Sequence, residues 1–247
     1  MPAPKINLGI PALSDLYAEG VPAGTTFLVL GSPGFGVELF AKEFAVAGIG
    51  NEHVIYFSTH ERKEDVLATM KDFGWKSDIA IVDISSDYYE MVLAKELEIS
   101  KYRLEGIDVS DIKKITTKED AKRPINFLTR LTYEVSKLKP PFRIVIDSID
   151  FFLEHYDHKH VLSAIRTIRA HTLHQGGVAL ITMLNNIYET RTQGGVEEIV
   201  DCILEMERQR EGLEFRNFII IKKVSNHPEK TGIVAYNVTE DGIQKKK

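Results

Sequence analysis

Short apolar runs rich in β-branched and aromatic residues alternate along the chain with stretches whose apolar residues recur every three or four positions. Thr26–Leu30, Val54–Phe57, Ile79–Val82, Ile144–Ile146 and Val178–Ile181 are runs of the first kind. Nearly every position in them is apolar, the pattern of strands covered on both faces. Between them, the stretch from Glu38 to Ala47 carries Leu39, Phe40, Phe44 and Ala47 at helical spacing, and that from Glu64 to Phe73 carries Val66, Leu67, Met70 and Phe73. Pro124 opens a third predicted helix with Phe127, Leu128, Leu131, Val135 and Leu138 on one stripe, stopped by Pro140-Pro141. A fourth starts at His158, turns Val161, Leu162, Ile165, Ile168 and Leu173 inward, and ends at Gly176-Gly177. Strands alternating with helices predict a mostly parallel sheet flanked by helices.

After Gly195 the pattern changes. Cys202–Met206, Phe215–Lys222 and Ile233–Val238 are strand-like runs separated by polar turns, without helices, which predicts an antiparallel C-terminal extension of the same sheet. The segment 85–118 is the least regular, with helical character at Met91–Leu97 and then charged, weakly patterned sequence, and is expected to be a mobile insertion. No linker or repeat divides the chain, so residues 1–247 are expected to form one domain, with Lys245-Lys246-Lys247 as a solvated end.

Composition narrows the function classes. A formal charge of −5 makes a broad nucleic-acid surface an unfavoured reading. One cysteine, Cys202, sits in an apolar run, where a buried structural thiol is expected, and a single cysteine provides no intrachain disulfide. No run reaches the ~18 apolar residues of a membrane span, and the start MPAPKINLGIP lacks a signal-peptide pattern, so the expectation is a cytoplasmic protein.

The chemistry-bearing motif follows the first core strand. Gly31-Ser32-Pro33-Gly34-Phe35-Gly36-Val37-Glu38 leads into a helix, the place of a phosphate-binding loop. Its glycines let backbone N–H groups converge on an anion. In GxxxxGK[ST] the two residues after the last glycine are a lysine that reaches the β and γ phosphates and a hydroxyl that holds magnesium. Here they are Val37 and Glu38. A carboxylate about 4 Å from phosphate oxygens adds roughly 4 kcal/mol of repulsion at an effective dielectric of about 20. Lys42, more than a turn further along the helix, is a poor substitute for the missing cation, and Phe35 is placed to lie across the phosphate space.

The stretch Gly9–Gly36, GIPALSDLYAEGVPAGTTFLVLGSPGFG, resembles the opening of KaiC-like members of the RecA superfamily, GIPxLDxLLxGGIPxG followed by a strand and P-loop. The resemblance extends over nearly the whole chain and implies a RecA-like P-loop NTPase core, an α/β fold. Tyr56–Val66 is similar to the family segment whose paired acids include the general base; Glu61 keeps the second acid and His60 replaces the first. Phe142–Ser148 resembles the Walker B strand, with Asp147 in the magnesium-supporting place. Ile219–His227 resembles the segment whose KxR pair reaches a neighbouring subunit's γ phosphate; Lys222 matches the lysine and Val224 replaces the arginine. Val238–Ile243 is similar to the family's ITDxGI ending.

Several parts of one catalytic device are thus altered together, which implies that no ATPase catalysis remains, with Glu61, Asp147 and Lys222 as relics and no bound cofactor. The expectation is a pseudo-ATPase working as a protein- or peptide-binding scaffold, in a homo-oligomer as family members associate. The alternatives are a slow, noncanonical ATPase that recruits Lys42 or Lys222, or a nucleotide-binding signalling or recombination accessory. Asp147 is expected to be structural, and His155, His158 and His160 to lie on a solvated surface and not at a metal.

Overall fold

The computed structural model describes residues 4–15, 17, 19–104 and 126–246. β1 (Lys5–Ile6) and β2 (Val21–Pro22) form a small antiparallel pair ahead of β3 (Thr26–Gly31), the first strand of the main sheet. Then come α1 (Val37–Val46), β4 (His53–Ser58), α2 (Lys63–Asp72) and β5 (Ala80–Asp83). A helical stretch follows: α3 (Ile84–Tyr88), a π turn (Tyr89–Leu93) and α4 (Ala94–Leu104). The second half runs α5 (Phe127–Ser136), β6 (Phe142–Asp147), α6 (Asp150–His155), α7 (His158–Gln175), β7 (Val178–Leu184) and α8 (Thr190–Ile199). It closes with β8 (Cys202–Glu211), β9 (Glu214–Val224), β10 (Gly232–Thr239) and β11 (Gly242–Lys245).

The main sheet has nine strands in the order β11-β10-β9-β8-β3-β7-β6-β4-β5. β3 pairs in parallel with β7 and β8, and β6 with β7 and β4, while β8 to β11 are joined antiparallel. All six residues of β3 are buried. Its side chains alternate between two cores: Phe27 and Val29 join Phe40 and Phe44 of α1 on one face, and Leu28 and Leu30 join Leu131 of α5 and Ile165 of α7 on the other. That arrangement is the physical reason for the near-continuous apolar runs. Buried Arg143 ties the first face to the N-terminal segment, donating to Glu52 and to the carbonyls of Asn7 and Phe44.

Two expectations are adjusted, and a third falls partly outside the described residues. Helix α8 spans Gly195, where the pattern predicted strands alone; Gly194 and Gly195 disfavour helix locally, yet a Cβ at Gly195 would come 2.9 Å from Leu162 Cδ1, so the glycine admits α7 at close range. The described part of the segment 85–118 is helical to Leu104, and its remainder lies outside the described residues. Pro124 also lies outside them; α5 starts at Phe127 with the Asn126 side chain accepting the Thr129 N–H as N-cap. Cys202 is buried, and burial pushes its thiol up to about 12. Among the described residues no helix is long and apolar enough to cross a membrane.

Candidate functional site

The carboxyl ends of β3, β4, β6 and β7 converge on one cleft of about 370 Å3, where ligands of open α/β sheets bind. It is lined by Gly31, Ser32, Pro33, Gly34, Val37 and Glu38 of the loop and first helical turn, by His60 and Glu61 after β4, by Asp147, Ser148 and Asp150 after β6, and by Thr182–Leu184 of β7. The sequence-predicted glycine loop, altered acid pair and Walker B-like aspartate therefore share one site.

The loop keeps a phosphate-cradle backbone without its cation. Gly34 and Gly36 have φ of 81° and 88°, a region open to glycine and costly for most other residues. The Val37 side chain folds back over Gly31: a Cβ built there would come 2.4 Å from Val37 Cγ2. Glu38 stands exposed in the first turn of α1, at the cleft. Phe35 corrects an expectation. It does not line the cleft; its ring is half-buried against the core beside α1, with the Arg208 guanidinium 5.5 Å from its centroid, and its carbonyl accepts the Tyr236 hydroxyl at 2.6 Å. Burial of the apolar ring outweighs any covering role over the loop.

Lys42 turns away from the phosphate space. It is 1% exposed, and its Nζ lies 2.5 Å from Glu61 Oε2, while the Glu61 side chain is 35% exposed. The contact is an ion pair by proximity, off the hydrogen-bond direction, because Oε2 is out of solvent and has no aligned donor. The Glu61 carbonyl accepts the Ser58 hydroxyl at 2.5 Å, which fixes the turn after β4. His60 Nε2 lies 2.9 Å from Ser148 Oγ.

Both oxygens of Asp147 are taken. The Tyr56 hydroxyl donates to Oδ2 at 2.5 Å and the Thr182 hydroxyl to Oδ1 at 2.8 Å. Tyr56 is fully buried, and burial first, then the adjacent Asp147 carboxylate, pushes its phenol well above the ordinary range, so it serves as a donor. Asp150 is 1% exposed and accepts the Leu184 N–H at 3.1 Å. Lys222 lies on β9, does not line the cleft, and pairs with Glu205 at 2.9 Å; that bond raises its pKa. Val224 packs against the core beside α1.

The described residues lining the cleft include four carboxyl side chains, Glu38, Glu61, Asp147 and Asp150, and no lysine or arginine. They do not fit a magnesium-bound triphosphate: the phosphate side has no cation, the first-turn position that would hold magnesium through a hydroxyl is a carboxyl, and the aspartate that would support the metal is bonded to two hydroxyls. Sequence reading missed Tyr56 and Thr182, although a hydroxyl inside each otherwise apolar strand was the available signal. His155 packs between Tyr88 and Phe151, at 4.8 and 4.6 Å between ring centroids, and among the described residues no group of three or more His, Cys, Asp or Glu is disposed to hold a metal ion.

Residues 6–246 match the family model described as "ATPase: KaiC". The circadian clock oscillator protein KaiC of Parathermosynechococcus lividus is 27% identical over 246 residues, covering 97% of this chain and 42% of that protein. The chain thus spans less than half the length of this clock relative. UPF0273 protein PH0284 of Pyrococcus horikoshii is 24% identical, with 97% of this chain and 92% of that protein covered. The crystal structure of the KaiC-like protein PH0186 from Pyrococcus horikoshii OT3 superimposes with a TM-score of 0.71 at 22% identity, covering 100% of both chains, and bears out the α/β fold with its antiparallel C-terminal strands.

Proposed function

Because the chain belongs to the KaiC family of ATPases, we propose that it is a member whose phosphate site has been retired, and that it works in the cytoplasm as a protein- or peptide-binding scaffold within a homo-oligomer. The observation that carries this reading is the charge of the cleft: among the described residues, four carboxyl side chains and no lysine or arginine line the place where the family holds its polyanion. The exposed Glu38 alone opposes a bound triphosphate by roughly 4 kcal/mol at about 4 Å, about a thousand-fold in affinity.

The geometry also argues against a substitute cation. Lys42 is buried against Glu61 and Lys222 is held by Glu205, so a slow ATPase built on either must first break an ion pair. A scaffold role needs the fold and its surfaces, which the two cores and the nine-stranded sheet supply, and does not need turnover. Magnesium and ATP titrated into the purified chain, with phosphate release followed in parallel, test the reading: no saturable heat and no release support it, and tight binding with turnover refutes it.

A further inference from the structure

Strand β11 is fastened to α1 through a carboxyl that has no cation beside it among the described residues. Glu43 is 5% exposed, and its Oε2 accepts the Ile243 N–H at 3.1 Å. Gly242, with φ of 99°, is pressed against both that side chain and the indole of Trp75: a Cβ there would come 2.6 Å from Glu43 Oε1 and 2.7 Å from Trp75 Cζ2. Trp75 in turn stacks on Phe73 at 4.8 Å between centroids, and Ile243 is fully buried in the core that contains Phe40 and Phe44. The carboxyl is thus sealed between α1, β11 and the turn after α2, with one main-chain donor as its hydrogen-bond partner among the described residues.

The charged groups on the surrounding elements are committed elsewhere or face water. On α1, Lys42 pairs with Glu61; on β6, Arg143 pairs with Glu52; on β11, Lys245 pairs with Asp15. Lys71, Asp72, Lys76 and Asp78 around the end of α2 are exposed, as are Glu240 and Asp241 in the turn before β11. A carboxyl removed from water, with one amide donor and no cation, favours its neutral form.

We propose that Glu43 and β11 form a pH-operated latch, closed while the carboxyl is neutral and opened when its ionisation draws it toward water and frees β11 from α1. β11 is the terminal strand of the sheet and, among the described strands, pairs with β10 alone, through Tyr236–Thr239, so its departure breaks no other strand pairing and costs the packing of Ile243 in the core. Its departure uncovers the main-chain edge of β10, a surface on which an extended peptide can add as a strand. Burial pushes the Glu43 pKa up to about 8, against the opposing pull of the Ile243 N–H, which sets the opening in the mildly alkaline range. The latch does not depend on what the phosphate-loop cleft binds.

Trp75 is the only tryptophan of the chain and reports on the latch directly. In the full chain, its emission is expected to show a one-proton transition centred near pH 8. Amide protection across Gly242–Lys245, corrected for intrinsic exchange, is expected to fall at least about ten-fold between about pH 7 and about pH 9.5. In Glu43→Gln both signals stay flat. A Glu43→Gln profile matching that of the native chain, or undiminished protection of β11 at about pH 9.5, overturns the latch. Should the variant fail to fold, carbon NMR titration of the Glu43 carboxyl in the native chain decides: a midpoint near 8 supports the latch and one below about 6 overturns it.

Discussion

Lys42 Nζ lies 2.5 Å from Glu61 Oε2, and the two ends of this pair differ in access to water: the lysine side chain is 1% exposed and the glutamate 35%. Removing Glu61 strands a buried charge, whereas removing Lys42 leaves a carboxyl that can rehydrate. Glu61→Ala is therefore expected to cost about 3 kcal/mol of stability and Lys42→Met less, near 1–2 kcal/mol. Urea denaturation of both variants checks the order. A residue kept as a working base predicts the opposite emphasis, with Glu61→Ala near neutral in stability.

Tyr56 is expected to matter for folding through one oxygen. Tyr56→Phe removes the donor to Asp147 Oδ2 and leaves that carboxylate with the Thr182 hydroxyl on its other oxygen. A loss of about 1.5–3 kcal/mol is expected, the range for a hydrogen bond to a charged group, measured from the shift of the denaturation midpoint at constant slope. A change under about 0.5 kcal/mol contradicts the role given to this contact.

Reinstating the missing chemistry is expected to separate binding from turnover. Val37→Lys with Glu38→Thr replaces a valine and a carboxyl by a cation and a hydroxyl, which should raise the affinity for inorganic triphosphate by at least about a hundred-fold. Hydrolysis of ATP should stay at background, since His60 still stands in place of the first acid and Asp147 keeps its two hydroxyl donors. Fluorescence-detected binding and a phosphate-release assay on the same sample read the two outcomes.

Stability is expected to fall as pH rises from about 4.5 to about 8. Glu43 holds its proton up to about pH 8 in the folded chain and, with the ordinary value of 4.5, releases it earlier when unfolded. Between those values the folded state binds more protons, so the free energy of unfolding declines as pH rises, by at most about 1.4 kcal/mol per unit, and levels off above the folded pKa. Glu43→Gln should remove this component of the slope in denaturation curves collected over that range.

The fold was legible because its determinants are local. β3, β4, β6 and β7 announce themselves as apolar runs, and Gly31–Gly36 places the loop, since each feature depends on residues adjacent in the chain. The site was legible in its composition but not in its wiring. Tyr56 and Thr182 reach Asp147 from positions 91 and 35 residues away, and Lys42 meets Glu61 across the gap between α1 and the turn after β4, so no spacing in the sequence records either contact. Phe35 has the same chain position whether it faces the cleft or the core; the core face won because Tyr236 and Arg208, supplied by the C-terminal strands, receive its carbonyl and its ring. Helix α8 was obscured by Gly194-Gly195, where packing on Leu162 overrides propensity.

The central claim is that a cleft lined by Glu38, Glu61, Asp147 and Asp150, without lysine or arginine among its described lining, rejects the polyanion that the family binds there. Isothermal calorimetry of the purified chain with ATP and magnesium, at about 0.15 M salt where long-range repulsion between the acidic chain and ATP is screened, tests it most directly. The account predicts no saturable heat up to about 1 mM ATP, a free energy weaker than about −4 kcal/mol. A dissociation constant in the micromolar range, lost on chelating magnesium, would contradict it.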